Sequence, residues 1–227
     1  GSNGAGKSTL LNVVAGVFLP DAGAIAIGGQ DVTRQPEWVR ARVVGRVFQN
    51  PLDGTAGSMS VEENLSLALA RGRRHTLARG VTASLRREFA QRLEPLGLGL
   101  ERRLRGQVGL LSGGQRQALT LLMATMVQPK VLLLDEHTAN LDPGTAQVIE
   151  QLTTRLIQEH QLPTLMVTHN MQQALRIGNR TLMMHEGEIV LDLQGDERSG
   201  LTVDDLVARF RRARQQDLVE DELLLTS

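Results

Sequence analysis

Short apolar runs alternate with amphipathic stretches along this chain, and the alternation predicts strands that alternate with helices. The clearest runs are Val131–Leu134 and Leu165–Thr168, and a stretch of helical character from Thr145 to Glu159 separates them. Continuous apolar runs of this length are typical of strands buried on both faces of a parallel sheet. Strand–helix–strand spacing of this kind predicts right-handed βαβ units. The pattern therefore indicates an α/β fold class with a mostly parallel sheet.

Further elements follow from the same periodicities and from turn residues. They are a helix over Thr9–Ala15 that stops at Gly16, a short strand over Ala24–Ile27, a strand over Val43–Phe48, helices between Met59 and Leu96, a hairpin of Thr181–Met184 with Glu188–Leu191, and an amphipathic helix over Val203–Gln216. A basic stretch from Arg71 to Arg79 interrupts the helical region. It has no interleaved Phe, Tyr or Trp that could stack on bases, so we interpret it as a solvated linker.

The amino-acid composition excludes only a few classes of function. The 227 residues suffice for one α/β domain with a small subdomain, and the net charge of zero gives no indication of nucleic-acid binding. Cysteine is absent, which excludes disulfides and thiol-based catalysis or metal binding. No apolar stretch approaches the roughly 18–20 residues that span a bilayer.

The chain opens with the phosphate-loop pattern G-x-x-x-x-G-K-[ST]. Its residues are Gly1, Ser2, Asn3, Gly4, Ala5, Gly6, Lys7 and Ser8. Glycines let the backbone wrap around an anion, and the N-terminus of the following helix favours negative charge. The pattern predicts that Lys7 reaches the β- and γ-phosphates of a nucleotide and that the Ser8 hydroxyl ligates Mg²⁺. An ordinary glycine-rich turn is the alternative, so the motif needs support from the rest of the chain.

A second glycine-containing motif, Leu111–Gln115, opens a helix that we expect to continue to about Val127. Ser112 is a good N-cap, and the two glycines after it leave the helix end open to an anion. Glycines in a first helical turn cost about 1 kcal/mol each relative to alanine. That cost favours a functional role, although a capped helix with a flexible entry is the alternative.

Polar residues also follow three of the predicted strands. Asp135 and Glu136 close the Val131–Leu134 strand, His169 closes the next, and Gln49 follows Val43–Phe48. In open α/β sheets, ligands bind at the carboxyl ends of the strands. Asp135 would hold Mg²⁺, Glu136 would polarise or position a water that attacks the γ-phosphate, His169 would contact that phosphate, and Gln49 would touch the metal and the water. Taken singly, solvated carboxylates, a structural histidine and a loop glutamine are the alternatives.

These elements appear in the order of the ABC-type ATPases, and the chain resembles the nucleotide-binding subunit of an ABC transporter over essentially its whole length. The elements are Gly1–Ser8, Gln49, Leu111–Gln115, Val131–Glu136, Ala139–Asp142 and His169. The resemblance implies a P-loop NTPase fold with a helical signature subdomain, ATP and Mg²⁺ as cofactors, and ATP hydrolysis as the activity. It implies nucleotide contacts from the phosphate loop through Thr9 and from Ser112, Gly113, Gly114, Gln115 and Asp142. It assigns catalysis to Glu136, His169 and Gln49, and Mg²⁺ ligation to Ser8, Gln49 and Asp135.

The resemblance also implies four segments. Residues 1–50 would form the N-terminal part of the ATPase core, residues 51–126 the helical signature subdomain, residues 127–195 the C-terminal part of the core, and residues 196–227 a C-terminal helical segment. Two copies would pair head to tail as a homodimer, so that Ser112 and Gly114 act on the nucleotide of the opposite copy. The other partners implied are transmembrane permease subunits and an extracytoplasmic solute-binding protein, with no nucleic acid. The implied location is peripheral, on the cytoplasmic face of the plasma membrane.

Residues Asp135–Ala139 and Leu110–Thr120 look like one bacterial subgroup, the ATPases of importers predicted to handle amino acids, aromatic ones included. His137 stands where a proline is common after the catalytic glutamate, and we expect its side chain to pack or face water rather than act as a catalyst. The main alternative is an ABC-type ATPase that acts on nucleic acid or ribosomes, and a nucleotide-binding scaffold without turnover is a third.

The chain starts inside a motif that a strand normally precedes, and it contains no tyrosine. We interpret it as a fragment that lacks its leading strands and the aromatic residue that stacks on adenine. Residues 1–227 alone are therefore expected to hydrolyse ATP poorly.

Overall fold

The computed structural model describes residues 4–72 and 80–213. The chain divides into two compact units, one of Leu11–Met166 and one of the described parts of Gly1–Leu10 and Val167–Ser227. The helices are α1 (Lys7–Ala15), α2 (Glu37–Arg40), α3 (Val61–Leu69), α4 (Ala83–Leu93), α5 (Gly113–Thr125), α6 (Pro143–His160), α7 (Met171–Ile177) and α8 (residues 203–213). The strands are β1 (Ala26–Ile27), β2 (Gln30–Asp31), β3 (Val44–Val47), β4 (Val131–Asp135), β5 (Thr164–Val167), β6 (Arg180–His185) and β7 (Glu188–Gln194). Among the helices in the described ranges, none has the length and apolar character that a membrane crossing requires.

The central sheet has three strands in the order β3–β4–β5. Strands β3 and β4 are parallel, with Val47 opposite Leu134. Strand β4 is in the middle, and Leu132, Leu133 and Leu134 are completely buried. The strands predicted from the apolar runs are thus confirmed to within one or two residues. Strands β6 and β7 form the predicted antiparallel hairpin.

Within the Leu11–Met166 unit, α3, α4 and α5 share one apolar core with β4. Leu65, Phe89 and Leu119 are completely buried there and belong to the same cluster as Leu134. Helix α3 starts at a capping box, in which the Ser60 side chain accepts from the Glu63 N–H and the Glu63 side chain accepts from the Ser60 N–H. The core fixes the helices around the glycine motif of α5 relative to the strand that carries Asp135.

A backbone strap, residues 57–62 with residues 104–109, connects the segment after Gln49 to the segment before the α5 motif. Four main-chain hydrogen bonds of 2.8–3.0 Å form it: Gly109 N–H to Gly57 O, Val108 N–H to Met59 O, Val61 N–H to Gly106 O and Glu62 N–H to Leu104 O. These bonds join positions more than forty residues apart by main-chain atoms alone. The two loops on either side of the strap are therefore constrained together.

Arg40 is completely buried, which is unusual for a charged side chain. Its guanidinium donates to the carbonyls of Val13 (2.6 Å) and Val14 (3.0 Å) in the last turn of α1. It also donates to Gln35 O and Thr33 O, both at 2.9 Å. The last carbonyls of a helix have no partner within the helix, so Arg40 supplies donors that water cannot supply in this buried place.

Two further arginines cap helices in the same way, each within its own unit. The Arg71 guanidinium donates to Ala124 O (3.1 Å) and Val127 O (2.6 Å) at the end of α5. Arg198 donates to the Ala174 (2.9 Å) and Leu175 carbonyls at the end of α7. The interpretation of the basic stretch as a solvated linker is therefore wrong for Arg71, because its donors are needed at α5. Residues 73–79 of that stretch lie outside the described residues.

His137 anchors the turn after β4 to helix α6. Its side chain is 2% exposed, and Nε2 lies 3.1 Å from the Thr153 hydroxyl. That hydroxyl donates to Ile149 O at 2.7 Å, so it accepts a hydrogen bond from the Nε2–H. Burial lowers the pKa of His137 to about 4. The histidine is a neutral packing group at pH 7, as the sequence suggested.

We predict that His137 makes the protein less stable as the pH falls from about 6.5 to about 4. In this window the unfolded chain binds a proton at His137 that the folded chain excludes, and the free energy of unfolding decreases by about 3 kcal/mol in full. His137→Asn does not titrate and should lose this part of the pH dependence. Urea unfolding at several pH values measures it, with the exposed His160→Asn as the control. Identical pH profiles for wild type and His137→Asn would contradict the prediction.

Candidate functional site

Helix α1 starts at the phosphate loop. Gly4 and Gly6 adopt φ of +79° and +88°, a region that favours glycine. The Gly6 carbonyl accepts from the Leu10 N–H at 2.9 Å, so the helical hydrogen bonds begin inside the loop. Lys7 is half-buried and Ser8 is exposed at the helix N-terminus. Left-handed glycines followed by a helix N-terminus make an environment that suits a phosphate group.

The nucleotide contacts assigned to this loop stay predictions. The structure describes Ala5 as buried and Thr9 as exposed, which leaves Thr9 accessible to a ligand. Gly1, Ser2 and Asn3 lie outside the described residues.

Ser112 caps α5 in a complete capping box. Its hydroxyl accepts from the Gln115 N–H (3.3 Å), and Gln115 Oε1 accepts from the Ser112 N–H (3.2 Å). Ser112 and Gly113 are exposed, whereas Gly114 is buried. The motif therefore exposes Ser112 and Gly113 to a ligand and turns Gly114 towards its own chain.

Arg116 fixes the loop before this motif, a role that the sequence analysis missed. Its guanidinium donates to the carbonyls of Val108 (3.2 Å), Gly109 (2.9 Å) and Leu111 (3.1 Å). Three accepting carbonyls hold the loop in one conformation. The signal in the sequence was an arginine directly after the glycine motif, but its partners depend on how the loop folds back.

Asp135 ends β4, and Glu136 follows it in a strained conformation. Both are half-buried, and Glu136 has φ of +41°. A non-glycine residue in this region costs of order 1 kcal/mol or more, and such residues cluster at functional sites. The Glu136 carbonyl accepts from the Ala139 N–H at 2.9 Å, which closes the turn. This strain agrees with a functional rather than a merely solvated carboxylate.

Gln49 lies at the same edge of the sheet as Glu136. Strands β3 and β4 are parallel, and Val47 pairs with Leu134. Each of Gln49 and Glu136 comes two residues after one member of that pair, so the sheet brings the two loops side by side. Gln49 is exposed there and Glu136 is half-exposed. The sheet thus places Gln49 and Glu136 in neighbouring loops, and their catalytic roles stay predictions.

His169 belongs to the other unit, between β5 and α7. It is exposed, and its neighbours form a tight turn. The Asn170 side chain caps α7 by accepting from the Gln173 N–H at 3.1 Å, and the Asn170 N–H donates to the Thr168 hydroxyl at 3.0 Å. These hydrogen bonds hold the backbone on which His169 sits.

Asp142 is the N-cap of α6, where Pro143 follows as the first helical residue. Its Oδ1 accepts from the Thr145 N–H at 3.0 Å, and hydrogen bonds from Thr145 hold the pKa of Asp142 below its usual value. The carboxylate is exposed and therefore charged near neutral pH. Asp142 was predicted from the sequence and Thr145 was not, although Asp-Pro-Gly-Thr has the residue types of a helix N-terminus.

The donor types at these positions fit Mg²⁺. In the described ranges no group of three or more His, Cys, Asp or Glu side chains could hold a metal by itself. Magnesium at nucleotide sites is usually bound by one or two protein oxygens together with phosphates and water. The Ser8 hydroxyl and the Asp135 carboxylate are oxygen donors of that kind.

Comparison with known proteins identifies the family. Residues 1–139 match the family model described as ABC transporter. A tyrosine transport ATP-binding protein of Clostridioides difficile (strain R20291) is 45% identical over 213 residues, which are 94% of this chain and 84% of that protein. The sulfate/thiosulfate import ATP-binding protein CysA of Mycobacterium tuberculosis (strain H37Rv) is 36% identical over 83% of this chain. The chain spans half the length of that mycobacterial relative.

A solved structure supports the same family assignment. The dimeric, post-hydrolysis ATP-binding cassette MJ0796 bound to ADP and Pi matches with a TM-score of 0.72 and 26% identity, covering 85% of this chain and 82% of that one. This likeness confirms the expected fold, and the relatives support a transport ATPase rather than one that acts on nucleic acid or ribosomes. The phosphate loop, the capped glycine motif and the carboxylates at the end of β4 thus lie in the chain of an ATP-binding, ATP-hydrolysing domain, and this chain belongs to the ABC transporter family.

Proposed function

We propose that two copies of this chain bind ATP with Mg²⁺ head to tail, hydrolyse it, and so drive uptake of tyrosine or a related amino acid through a membrane permease. The observation that carries the catalytic part is the sheet edge where Gln49 and the strained Glu136 lie at equivalent positions after Val47 and Leu134. The 45% identity to a tyrosine transport ATP-binding protein supports the substrate.

The phosphate loop binds the nucleotide in this proposal. The Lys7 ammonium neutralises charge on the β- and γ-phosphates, and the N–H groups at the start of α1 donate to phosphate oxygens. The residues from Gly1 to Thr9 would supply the other phosphate contacts, as predicted from the sequence. The exposed Ser8 hydroxyl lies in the first turn of the helix, where a metal bound to the phosphates needs a ligand.

Ser8, Gln49 and Asp135 would hold Mg²⁺, with Asp135 acting through water. The bound metal neutralises negative charge that develops on the transferring phosphoryl group. The three side chains provide oxygen ligands only, as magnesium requires.

Hydrolysis depends on positioning and charge more than on covalent chemistry. Glu136 orients the attacking water and accepts its proton, and the turn closed by Ala139 holds the backbone that carries this carboxylate. Gln49 holds the water from the neighbouring strand. His169 contacts the γ-phosphate, and this contact is broken when hydrolysis removes the phosphate.

The signature completes the site of the opposite copy. Exposed Ser112 and Gly113 offer a hydroxyl and a backbone N–H at a helix N-terminus, where an anion is favoured. Gly114 and Gln115 contribute through the main chain, because Gly114 is buried and the Gln115 side chain is engaged in the capping box. Asp142, which is charged and exposed, couples the two nucleotide sites across the dimer.

Partners and location follow from the same proposal. The four-segment organisation stays a proposal, in which Gln49 and residues 51–126 face a permease. A solute-binding protein delivers the amino acid from outside, and the chain lies peripherally at the cytoplasmic membrane face. The likeness to transport proteins supports this assembly.

Glu136→Gln should keep ATP binding and lose most hydrolysis, by about 10²–10⁴-fold, because general-base removal has effects of that size. ATP affinity and phosphate release with Mg²⁺ measure the two steps. Glu159→Gln, at an exposed position on α6, is the matched control and should turn over normally. Turnover by Glu136→Gln within a few-fold of wild type would remove Glu136 from the catalytic role.

Ser112→Arg should retain ATP binding by the monomer and lose ATP-dependent dimerisation, because it places bulk and charge in the closed interface. Lys7→Ala should lose the nucleotide first. A mixture of the two variants should regain ATP-dependent association, since each mixed dimer has one site with an intact phosphate loop and an intact signature. Ser112→Ala controls for loss of the cap, worth about 1 kcal/mol. Light scattering measures association, and a mixture as inert as its components would argue against the arrangement in trans.

Tyrosine should stimulate ATP hydrolysis by the protein reconstituted in vesicles with its co-purifying permease and solute-binding protein. The coupled assay compares phosphate release with L-tyrosine, thiamine, sulfate or no solute, and Glu136→Gln serves as the inactive control. Stimulation by sulfate or thiamine in place of tyrosine would leave the ATPase assignment intact and refute the substrate.

A further inference from the structure

Gly114 is the buried glycine of the signature, residues Leu111–Gln115. It is the second residue of α5 and is buried, whereas its neighbours Ser112 and Gly113 are exposed. A role limited to contact with a nucleotide of the opposite copy does not require this burial.

The partner of Gly114 is the side chain of Thr145 in the first turn of α6. A Cβ built on Gly114 would lie 2.2 Å from Thr145 Cγ2, but 3.6 Å from its Cβ and 3.8 Å from its Oγ1. Real side chains do not approach to 2.2 Å, and only the methyl group causes the conflict. At Gly113, by comparison, a Cβ would meet Leu141 Cδ2 at 3.3 Å, and the end of a leucine side chain can yield.

Thr145 cannot easily move away. Its N–H donates to the Oδ1 of the N-cap Asp142 at 3.0 Å, and Thr145 is held as the third residue of α6. Threonine has two χ1 rotamers in a helix, and the hydrogen bond between the Thr145 side chain and Asp142 favours the rotamer that keeps the methyl group over Gly114. A continuous contact therefore runs from Asp142 through Thr145 to Gly114.

We propose that Thr145 is a positioning residue for the signature. Its methyl group packs on Gly114 and holds the start of α5 against the start of α6, so that Ser112 and Asp142 of one copy reach the opposite copy as one element. Gly114 has no side chain because Thr145 of its own chain occupies the space. The catalytic consequence rests on the proposed function, whereas the packing does not.

Substitutions that change the side-chain size at Gly114 and Thr145 test this contact. Alanine is a better helix former than glycine, so without the conflict Gly114→Ala would raise the melting temperature. We expect it instead to lower the melting temperature by roughly 5 °C, as overpacking does. It should also lower kcat by about tenfold, since a shift of the signature costs transition-state contacts, while the Kd for ATP stays within about twofold because the phosphate loop is untouched.

Second-site changes at Thr145 give matched variants. Thr145→Ser removes the methyl group and keeps the hydroxyl, so the Gly114→Ala/Thr145→Ser double variant should recover both melting temperature and kcat. Thr145→Val keeps a methyl group there, so Gly114→Ala/Thr145→Val should recover neither. Gly113→Ala should lower the melting temperature less than Gly114→Ala does.

The outcomes separate the parts of the inference. An unchanged or raised melting temperature for Gly114→Ala would overturn the packing argument. Recovery of melting temperature without kcat in the serine double variant would overturn the positioning role, because Gly114 would then be needed for the nucleotide alone. Absence of ATPase activity from the full-length wild-type protein, reconstituted with its permease, would count against the proposed function, and the melting temperatures would still decide whether Thr145 excludes a side chain at Gly114.

Discussion

The carbonyl groups at helix ends must find donors when they are buried, and arginine side chains meet this requirement here. Arg40 donates to four main-chain carbonyls, two of them at the end of α1. An unsatisfied buried polar group costs about 1–3 kcal/mol. Loss of this guanidinium would leave several buried carbonyls without donors and would destabilise the fold by the sum of their costs. Arg71 and Arg198 serve α5 and α7 by the same chemistry. The capped helices are those that begin at the phosphate loop, at the signature and just after His169.

This arrangement leaves the two ends of each helix with different tasks. The positive charge at the C-terminus complements the helix dipole and fixes the carbonyls, while the N-termini of α1 and α5 present N–H groups of the kind that bind an anion. The β4 turn follows a related principle, because the neutral His137 holds it to α6 through Thr153 and Glu136 is kept in a conformation that it would not adopt freely. Groups that would contact the phosphates are thus supported by groups that do not.

Elements with long periodic or apolar patterns could be predicted from the sequence, and those that depend on distant contacts could not. A continuous apolar run predicts strand β4, and a local helical pattern predicts helix α6. Helix α2 has only four residues, and its key residue, Arg40, acquires its partners from positions 26 and 27 residues away. The signature was recognised from the residue types of Leu111–Gln115. The burial of Gly114, however, depends on Thr145, which lies thirty-one positions later in the sequence.

The backbone strap has a consequence for how such a protein can diversify. Because residues 57–62 and 104–109 are joined by N–H and C=O groups, the exposed side chains of Ser58, Arg105 and Gln107 can be exchanged without breaking the connection. Buried core residues of the strap cannot be exchanged in this way, and neither can Gly109, since a Cβ there would lie 3.0 Å from the Gly57 carbonyl oxygen. Mutation and selection can therefore reshape the outer surface of this region to suit a new neighbour, while the mechanical link between the Gln49 loop and the signature is inherited unchanged.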